Sequence, residues 1–199
     1  MPNIEKFFLG AFLLLLAVTI PAACTTAPPA ISQPSLTFGH LPPIRLGVDR
    51  IEILDATQPS MQAPNVEHRF PTPPAKAAER WARDRLHAAV GPATARVVIR
   101  NAKVTEEKLP KTSGLTGFFT VDQAVRYDAT LDVLIEIVDA KGKRLAFAET
   151  RVEQSQTVPE DVSVNEREAY WFRLVEALLR TFDAEMEANI RTHLAGYLR

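Results

Sequence analysis

The sequence predicts an α+β fold, a two-layer sandwich in which two helices cover one face of a four-stranded, mainly antiparallel sheet, in the order β-α-β-β-β-α. Two patterns carry most of this prediction. From Val125 to Val138 apolar and polar residues alternate, as in a strand of an antiparallel sheet with one dry face and one wet face. From Trp171 to Leu194 apolar residues recur at helical spacing, which indicates a long amphipathic helix.

The first half of the domain has weaker patterns. Residues 44–54 predict a first strand with a bulge near Asp49, because the apolar positions change phase there. A helix is expected to start after Thr72 as its cap, with prolines in the first turn, and to end before Gly91. Its expected buried stripe is Trp81, Ala82, Leu86, Ala89 and Val90.

The second half is better marked. A β-branched run predicts a strand over 96–106. A turn at 139–143, which contains a glycine, leads into the last strand over 144–158. Ser163 and Glu166 have the spacing of a capping box, so the long closing helix is expected to begin there.

The segment before the sheet indicates export from the cell. The apolar run Phe7–Ile20 is too short to cross a bilayer and ends in small residues before Cys24, the single cysteine of the chain, as a secretory signal does. The stretch that follows is rich in Pro, Thr and Ala, which favours an extended tether. The predicted organisation is a signal peptide over 1–23, Cys24 and its tether over 24–43, and one α+β domain over 44–199.

Composition argues against several function classes. The net charge is −1 and basic residues are interspersed with acidic ones, so nucleic-acid binding is not expected. The four histidines are scattered and there is no second cysteine, so neither a metal site nor a cofactor is expected. Without a nucleophile elbow or phosphate-binding loop, the chain is not expected to be an enzyme. Two carboxylate groups are interpreted as ordinary solvated residues: Asp128, Asp132 and Glu136 on the wet face, and Asp183, Glu185 and Glu187 on the last helix.

The small residues before Cys24 resemble the lipobox of bacterial lipoproteins. That resemblance implies that the thiol receives a diacylglyceryl group, so that fatty-acyl chains such as palmitate anchor the protein. Thr25 replaces the Asp that retains some lipoproteins at the inner membrane, which implies the periplasmic side of the outer membrane. Pro21 stands where the motif usually has leucine, and the alternative is cleavage near Ala23 or Ala27 to give a soluble periplasmic protein.

Together with the spacer, the order of elements over roughly Ile44 to Leu194 resembles small envelope lipoproteins of the LptE type and the auxiliary lipoproteins of ABC transport systems. The resemblance implies a domain that holds a partner, an ABC-transport subunit or an outer-membrane barrel, and brings no catalytic residues. The expected function is therefore that of a lipid-anchored accessory protein in transport or assembly of lipid or outer-membrane components. Two alternatives are a carrier of a lipid or other apolar ligand, with room beside Ala146 and Ala148, and an enzyme whose site is assembled from separated residues.

Apolar side chains at unusual places are candidates for contact with a partner. The connection from Leu109 to Val121 is punctuated by glycines and carries aromatic rings. Three adjacent aromatic residues near the start of the last helix are too many for one buried face, so Tyr170 or Phe172 is expected to be exposed for contact. The candidates are Leu115, Phe118, Phe119, Tyr170 and Phe172. In the alternative interpretation, Phe118 and Phe119 begin the third strand and pack on the sheet.

Overall fold

A computed structural model describes residues 35–110 and 124–199. In chain order the elements are β1 (Ile44–Gly47), β2 (Arg50–Asp55), α1 (Pro74–Arg85), β3 (Leu86–Ala89), β4 (Thr94–Lys108), β5 (Ala124–Val138), β6 (Arg144–Pro159) and α2 (Val164–His193). Two short 3-10 turns, Glu67–Arg69 and Ala195–Tyr197, complete the list.

The main sheet has four strands in the order β2-β4-β5-β6. The pair β2–β4 is parallel, and the pairs β4–β5 and β5–β6 are antiparallel. A separate two-stranded parallel sheet consists of β1 and β3. The two helices contribute their buried residues to the same core as the dry face of the main sheet, so the predicted α+β class with a mainly antiparallel four-stranded sheet is confirmed.

The predicted first strand is in fact two strands. After Gly47 the chain leaves the small sheet, and at Arg50 it enters the main one. The Asp49 amide donates to the Ala93 carbonyl at 2.7 Å, which fixes the crossing point. The change of apolar phase near Asp49 was therefore interpreted wrongly as a bulge, because alternation reports which side chains are buried and not which strand they pair with.

The predicted first helix is too long at its C-terminal end. The helix ends at Arg85, and residues 86–89 continue as β3, hydrogen-bonded to β1. Val90, predicted to be buried, is 99% exposed. At the other end the N-cap position is Pro73 rather than Thr72, and no side chain caps the helix. Apolar residues continue at helical spacing beyond Arg85. The backbone there forms its hydrogen bonds with β1 instead of extending the helix.

The closing helix matches its prediction closely. The Ser163 hydroxyl accepts from the Glu166 amide at 3.3 Å, and a Glu166 carboxylate oxygen accepts from the Ser163 amide at 2.9 Å, so the capping box is present. The helix is 30 residues long. Every predicted member of its stripe is buried: Trp171, Leu174, Val175, Leu178, Phe182, Met186, Ile190 and Leu194.

The other face of the main sheet is lined by ion pairs. Carboxylates of β5 pair with arginines on the same or the neighbouring strand: Asp132 with Arg100 at 2.5 Å, Glu136 with Arg96 at 3.0 Å and Asp128 with Arg126 at 2.9 Å. These are the three carboxylates predicted to lie on the wet face. These pairs are partly accessible to solvent and keep this face of the sheet polar.

Candidate partner-binding surface

The two ends of the main sheet are built differently. We call the end where β4 finishes at Lys108 and β5 starts at Ala124 the loop end. We call the opposite end, where residues 35–43 pack beside Arg85 and the C-terminal half of α2, the base. Trp171 at the loop end and Glu187 at the base are separated by about 24 Å along α2, at 1.5 Å per residue.

Three aromatic rings from three different elements meet at the loop end. Phe70, placed by the turn at Glu67–Arg69, stacks on Trp171 of α2 with ring centroids 4.7 Å apart. Tyr127 of β5 meets both rings edge-on, at 6.3 Å from Phe70 and 5.8 Å from Trp171. All three side chains are buried, so Trp171 has the core role predicted for it.

Polar groups surround this cluster. The Arg69 guanidinium lies 5.7 Å from the centroid of the Trp171 ring and pairs with Glu106 at 3.4 Å. Burial raises the pKa of the Tyr127 hydroxyl, and the negative charge of Glu106 acts in the same direction. The Trp171 Nε1 group is buried without an acceptor among the described residues. A depression of about 210 Å³ next to the cluster is lined by Met61, Pro64, His68, Arg69 and Glu106, among others.

Two of the five candidate contact residues lie near this end. Tyr170 and Phe172 flank the buried Trp171 and are themselves half-buried. The Arg173 guanidinium lies 4.4 Å from the centroid of the Tyr170 ring, so one face of that ring is already covered. Leu115, Phe118 and Phe119 lie outside the described residues, between the end of β4 and the start of β5. The backbone closes at that point, where the Leu109 amide donates to the Ala124 carbonyl at 2.9 Å.

A buried cation organises the base. The Arg85 side chain is 2% exposed, and its Nε donates to an Asp183 oxygen at 2.8 Å. Its terminal nitrogens donate to Glu187 and to the Pro42 carbonyl. Trp81 Nε1 donates to the same Asp183 oxygen at 2.7 Å. The interpretation of Asp183 and Glu187 as solubilising residues is therefore wrong, because both bind a buried guanidinium.

The chain before β1 is held against the base. Phe38 is 5% exposed, and its amide donates to an Asp84 carboxylate oxygen at 2.8 Å. Leu36 and Leu41 pack at the rim of the core. Residues 35–43, which composition assigned to the tether, thus pack on the domain. One feature of the sequence could have indicated the buried Arg85 of this site. Arg85 lies one helical turn after Trp81, within the apolar stripe of α1.

A polar cleft of about 440 Å³ lies beside the sheet, where β2 has ended and β4 continues. Its lining includes Thr57, Ser60, Glu67, Arg100 and Lys103. Glu67 is buried, and its carboxylate accepts from the Val104 amide at 3.3 Å. This hydrogen bond satisfies a β4 amide at a point beyond the end of β2. In the described part of the chain, no group of three or more His, Cys, Asp or Glu side chains is arranged to hold a metal ion.

No helix within residues 35–110 and 124–199 is long and apolar enough to span a bilayer.

No family model and no curated protein matches the sequence. Solved structures similar to the chain were found. A minor lipoprotein from Acinetobacter baumannii is 12% identical over 70% of this chain and 91% of its own, with a TM-score of 0.35. The rare lipoprotein B from Shewanella oneidensis is 11% identical over 72% of this chain and 89% of its own, with a TM-score of 0.24. Both similar structures are those of lipoproteins.

Proposed function

We propose that the protein is a lipid-anchored accessory protein of the cell envelope, which binds other envelope components during transport or assembly of lipid or outer-membrane material. One geometric observation supports it. The chain that leads back toward Cys24 is fixed at the base by Phe38 and Pro42, whereas the connection that carries Phe118 and Phe119 departs from the loop end. The expected anchor and the expected contact residues therefore leave the domain at opposite ends.

This arrangement suits a protein that works by positioning. An acyl chain on Cys24 would tie the base to the membrane, and the loop end would face away from it. The packed rings of Phe70, Tyr127 and Trp171 form the core of the loop end, beside the strand ends that lead into the connection. Aromatic residues supply much of the binding energy at protein interfaces, which fits the candidate residues.

The anchor is tested by replacing Cys24 with Ala. We expect the variant to move from the membrane fraction to the soluble fraction of the envelope, because it has no thiol to acylate. Thr25→Ala is the matched control and should stay with the membrane. Comparing the melting temperatures of the two purified proteins separates loss of the anchor from misfolding. Membrane retention of the Cys24→Ala protein would contradict the anchor.

The contact surface is tested by replacing Phe118 and Phe119 together with Ser. After crosslinking in cells and purification through a C-terminal tag, we expect the double variant to recover less partner protein than the parent, with an almost unchanged melting temperature. Phe147→Ser is the control, because Phe147 is a 44% exposed phenylalanine on β6, far from the loop end. A large fall in melting temperature of the double variant would show instead that the two rings belong to the core.

No contact in the described residues favours the carrier alternative. Next to the small residues where room was expected, the Thr150 hydroxyl donates to Met186 Sδ at 3.7 Å, and Asn189 Nδ2 donates to the same hydroxyl at 2.9 Å. The helix α2 therefore packs directly on β6 at this point. Native mass spectrometry of protein taken from envelopes would revive the carrier function if a bound apolar ligand were found.

A further inference from the structure

A pocket of about 200 Å³ opens at the base, directly beside the segment that leads back toward Cys24. Pro42 and Pro43 form one wall. The charged side chains of the lining are three arginines and one glutamate: Arg45, Arg191, Arg199 and Glu187. They come from β1, from the last two turns of α2 and from the segment after α2, so the tertiary fold brings them together.

Two of the three arginines of this pocket, Arg45 and Arg199, have no ion-pair partner among the described residues. Glu187 is already engaged, since it bonds to Arg191 at 2.6 Å and to the buried Arg85. Within the described residues no carboxylate lies within 4.0 Å of the guanidinium of Arg45 or of Arg199. A planar guanidinium with free N–H donors is the group that proteins use most effectively to bind a phosphate.

Two of the three guanidiniums already have contacts within the protein, which favour one orientation of each. Arg199 Nη1 donates to the Leu198 carbonyl at 2.9 Å, and its guanidinium lies so close to Gly47 that a Cβ there would be 2.9 Å from the guanidinium carbon. Arg191 is held by Glu187, with Nε 3.1 Å from the carboxylate oxygen. Side chains with one favoured orientation lose less conformational entropy when a ligand binds.

We propose that this pocket binds the phosphate headgroup of an anionic phospholipid in the membrane that carries the anchor, and thereby seats the base on the membrane surface. The proposal rests on the proposed lipid anchor. Residues 25–34, which separate Cys24 from the described chain, reach at most about 35 Å when fully extended. A domain held within this distance meets headgroups at a high effective concentration, so individually weak contacts suffice to orient it.

The test uses the lipidated full-length product, reconstituted in nanodiscs of phosphatidylcholine with or without phosphatidylglycerol. Because Cys24 is then acylated, Val90→Cys supplies the one free thiol for a dye, at a fully exposed position in the loop that follows β3. A quencher on the lipid headgroups reports the fraction of protein molecules whose base lies on the membrane surface. We expect stronger quenching with phosphatidylglycerol and a decrease on raising the salt concentration.

The variant Arg45→Gln/Arg199→Gln should lower the equilibrium constant for seating by about 25-fold, at about fivefold for each arginine near an anionic surface. The matched control, Arg126→Gln/Arg151→Gln, removes two exposed charges from the polar sheet face and should seat like the parent. Equal quenching in the two double variants would overturn the proposal.

Two further outcomes are distinguishable. If inorganic phosphate raises the melting temperature of the parent but not of Arg45→Gln/Arg199→Gln, while phosphatidylglycerol leaves the quenching unchanged, the pocket takes free phosphate and membrane seating is wrong. If the mass of the purified protein shows an unmodified Cys24, the anchor fails, and with it the premise of this proposal, whatever the pocket binds.

Discussion

The base and the loop end are both places where α2 meets the rest of the domain, yet they are built from different interactions. At the base one buried guanidinium, that of Arg85, binds two carboxylates and a backbone carbonyl. At the loop end three aromatic rings pack against one another, with the Arg69 pair at their rim. The base therefore depends on every member of a small polar network, whereas the loop end depends on apolar area and ring geometry.

The two ends differ because different kinds of segment pack there. Among its described residues, 35–43, the segment before β1 has one fully buried side chain, that of Phe38, and it ends in Pro42 and Pro43. Hydrogen bonds from Arg85 to the Pro42 carbonyl and from the Phe38 amide to Asp84 are what such a segment can form. The loop end joins elements with large apolar side chains of their own, and packing suffices there.

Replacing Arg85 with Ala should produce the largest loss of stability. The change leaves Asp183 and Glu187 without their buried cation and the Pro42 carbonyl without its donor. We expect a loss of about 3–5 kcal/mol in the free energy of unfolding, measured by urea denaturation. Because the segment before β1 is released, proteolysis near residues 35–43 should accelerate as well.

The control for that prediction is Arg151→Ala. Arg151 pairs with Glu153 at 2.9 Å, and both side chains are more than half exposed, so we expect a loss of at most about 1 kcal/mol. An Arg85→Ala protein as stable as this control would mean that the carboxylates at the base are solvated without the arginine. The base would then not depend on its polar network.

At the loop end, Phe70→Leu should have a smaller effect. Leucine keeps most of the buried apolar area but removes the stack on Trp171 and the edge contact with Tyr127. We expect a loss of about 1–2 kcal/mol in the same urea experiment, because aromatic pairs add about 0.5–1.5 kcal/mol beyond area burial. A loss as large as that of Arg85→Ala would show that ring geometry, and not area, holds this end.

Sequence patterns predicted the elements where periodicity is long and uninterrupted. The alternation in β5 and the stripe of α2 run over many residues, and each was placed to within a residue or two. The prediction failed near β1 and β3, where runs of four residues pair in a separate sheet. Pairing between residues 44–47 and 86–89 is a long-range event that local periodicity does not encode.

The same reasoning explains what was missed at the base. Arginine within an apolar stripe is ambiguous in a sequence, since its long stem often lies along a core while its head reaches solvent. Only the fold shows that Asp183 and Glu187 face Arg85 across the helix pair. At the loop end, three consecutive residues of a helix cannot share one face, which predicted that Tyr170 or Phe172 would be accessible beside the buried Trp171. Both are half-buried, and contact of either with a partner stays a prediction.

The two ends should also respond to opposite extremes of pH. At the base, the hydrogen bond from Arg191 and the charge of Arg85 hold the pKa of Glu187 below its usual 4.5. The stability this gives is present above about pH 4.5 and is lost as the pH falls through the lower pKa of the folded state. At the loop end, burial raises the pKa of Tyr127 above 10.0, so its contribution is complete below pH 10 and is lost as the pH rises through the folded value.

Urea midpoints measured across the pH range separate these contributions with two variants. Glu187→Gln should flatten the decrease in stability on the acid side and leave the alkaline side unchanged. Tyr127→Phe keeps the ring and removes the ionisable group, so it should flatten only the alkaline side. The effects are small, since other groups titrate in both ranges and the Glu187 side chain is 30% exposed. An alkaline slope unchanged in Tyr127→Phe would mean that the hydroxyl stays solvated, and that the loop end is looser than the packing of its three rings implies.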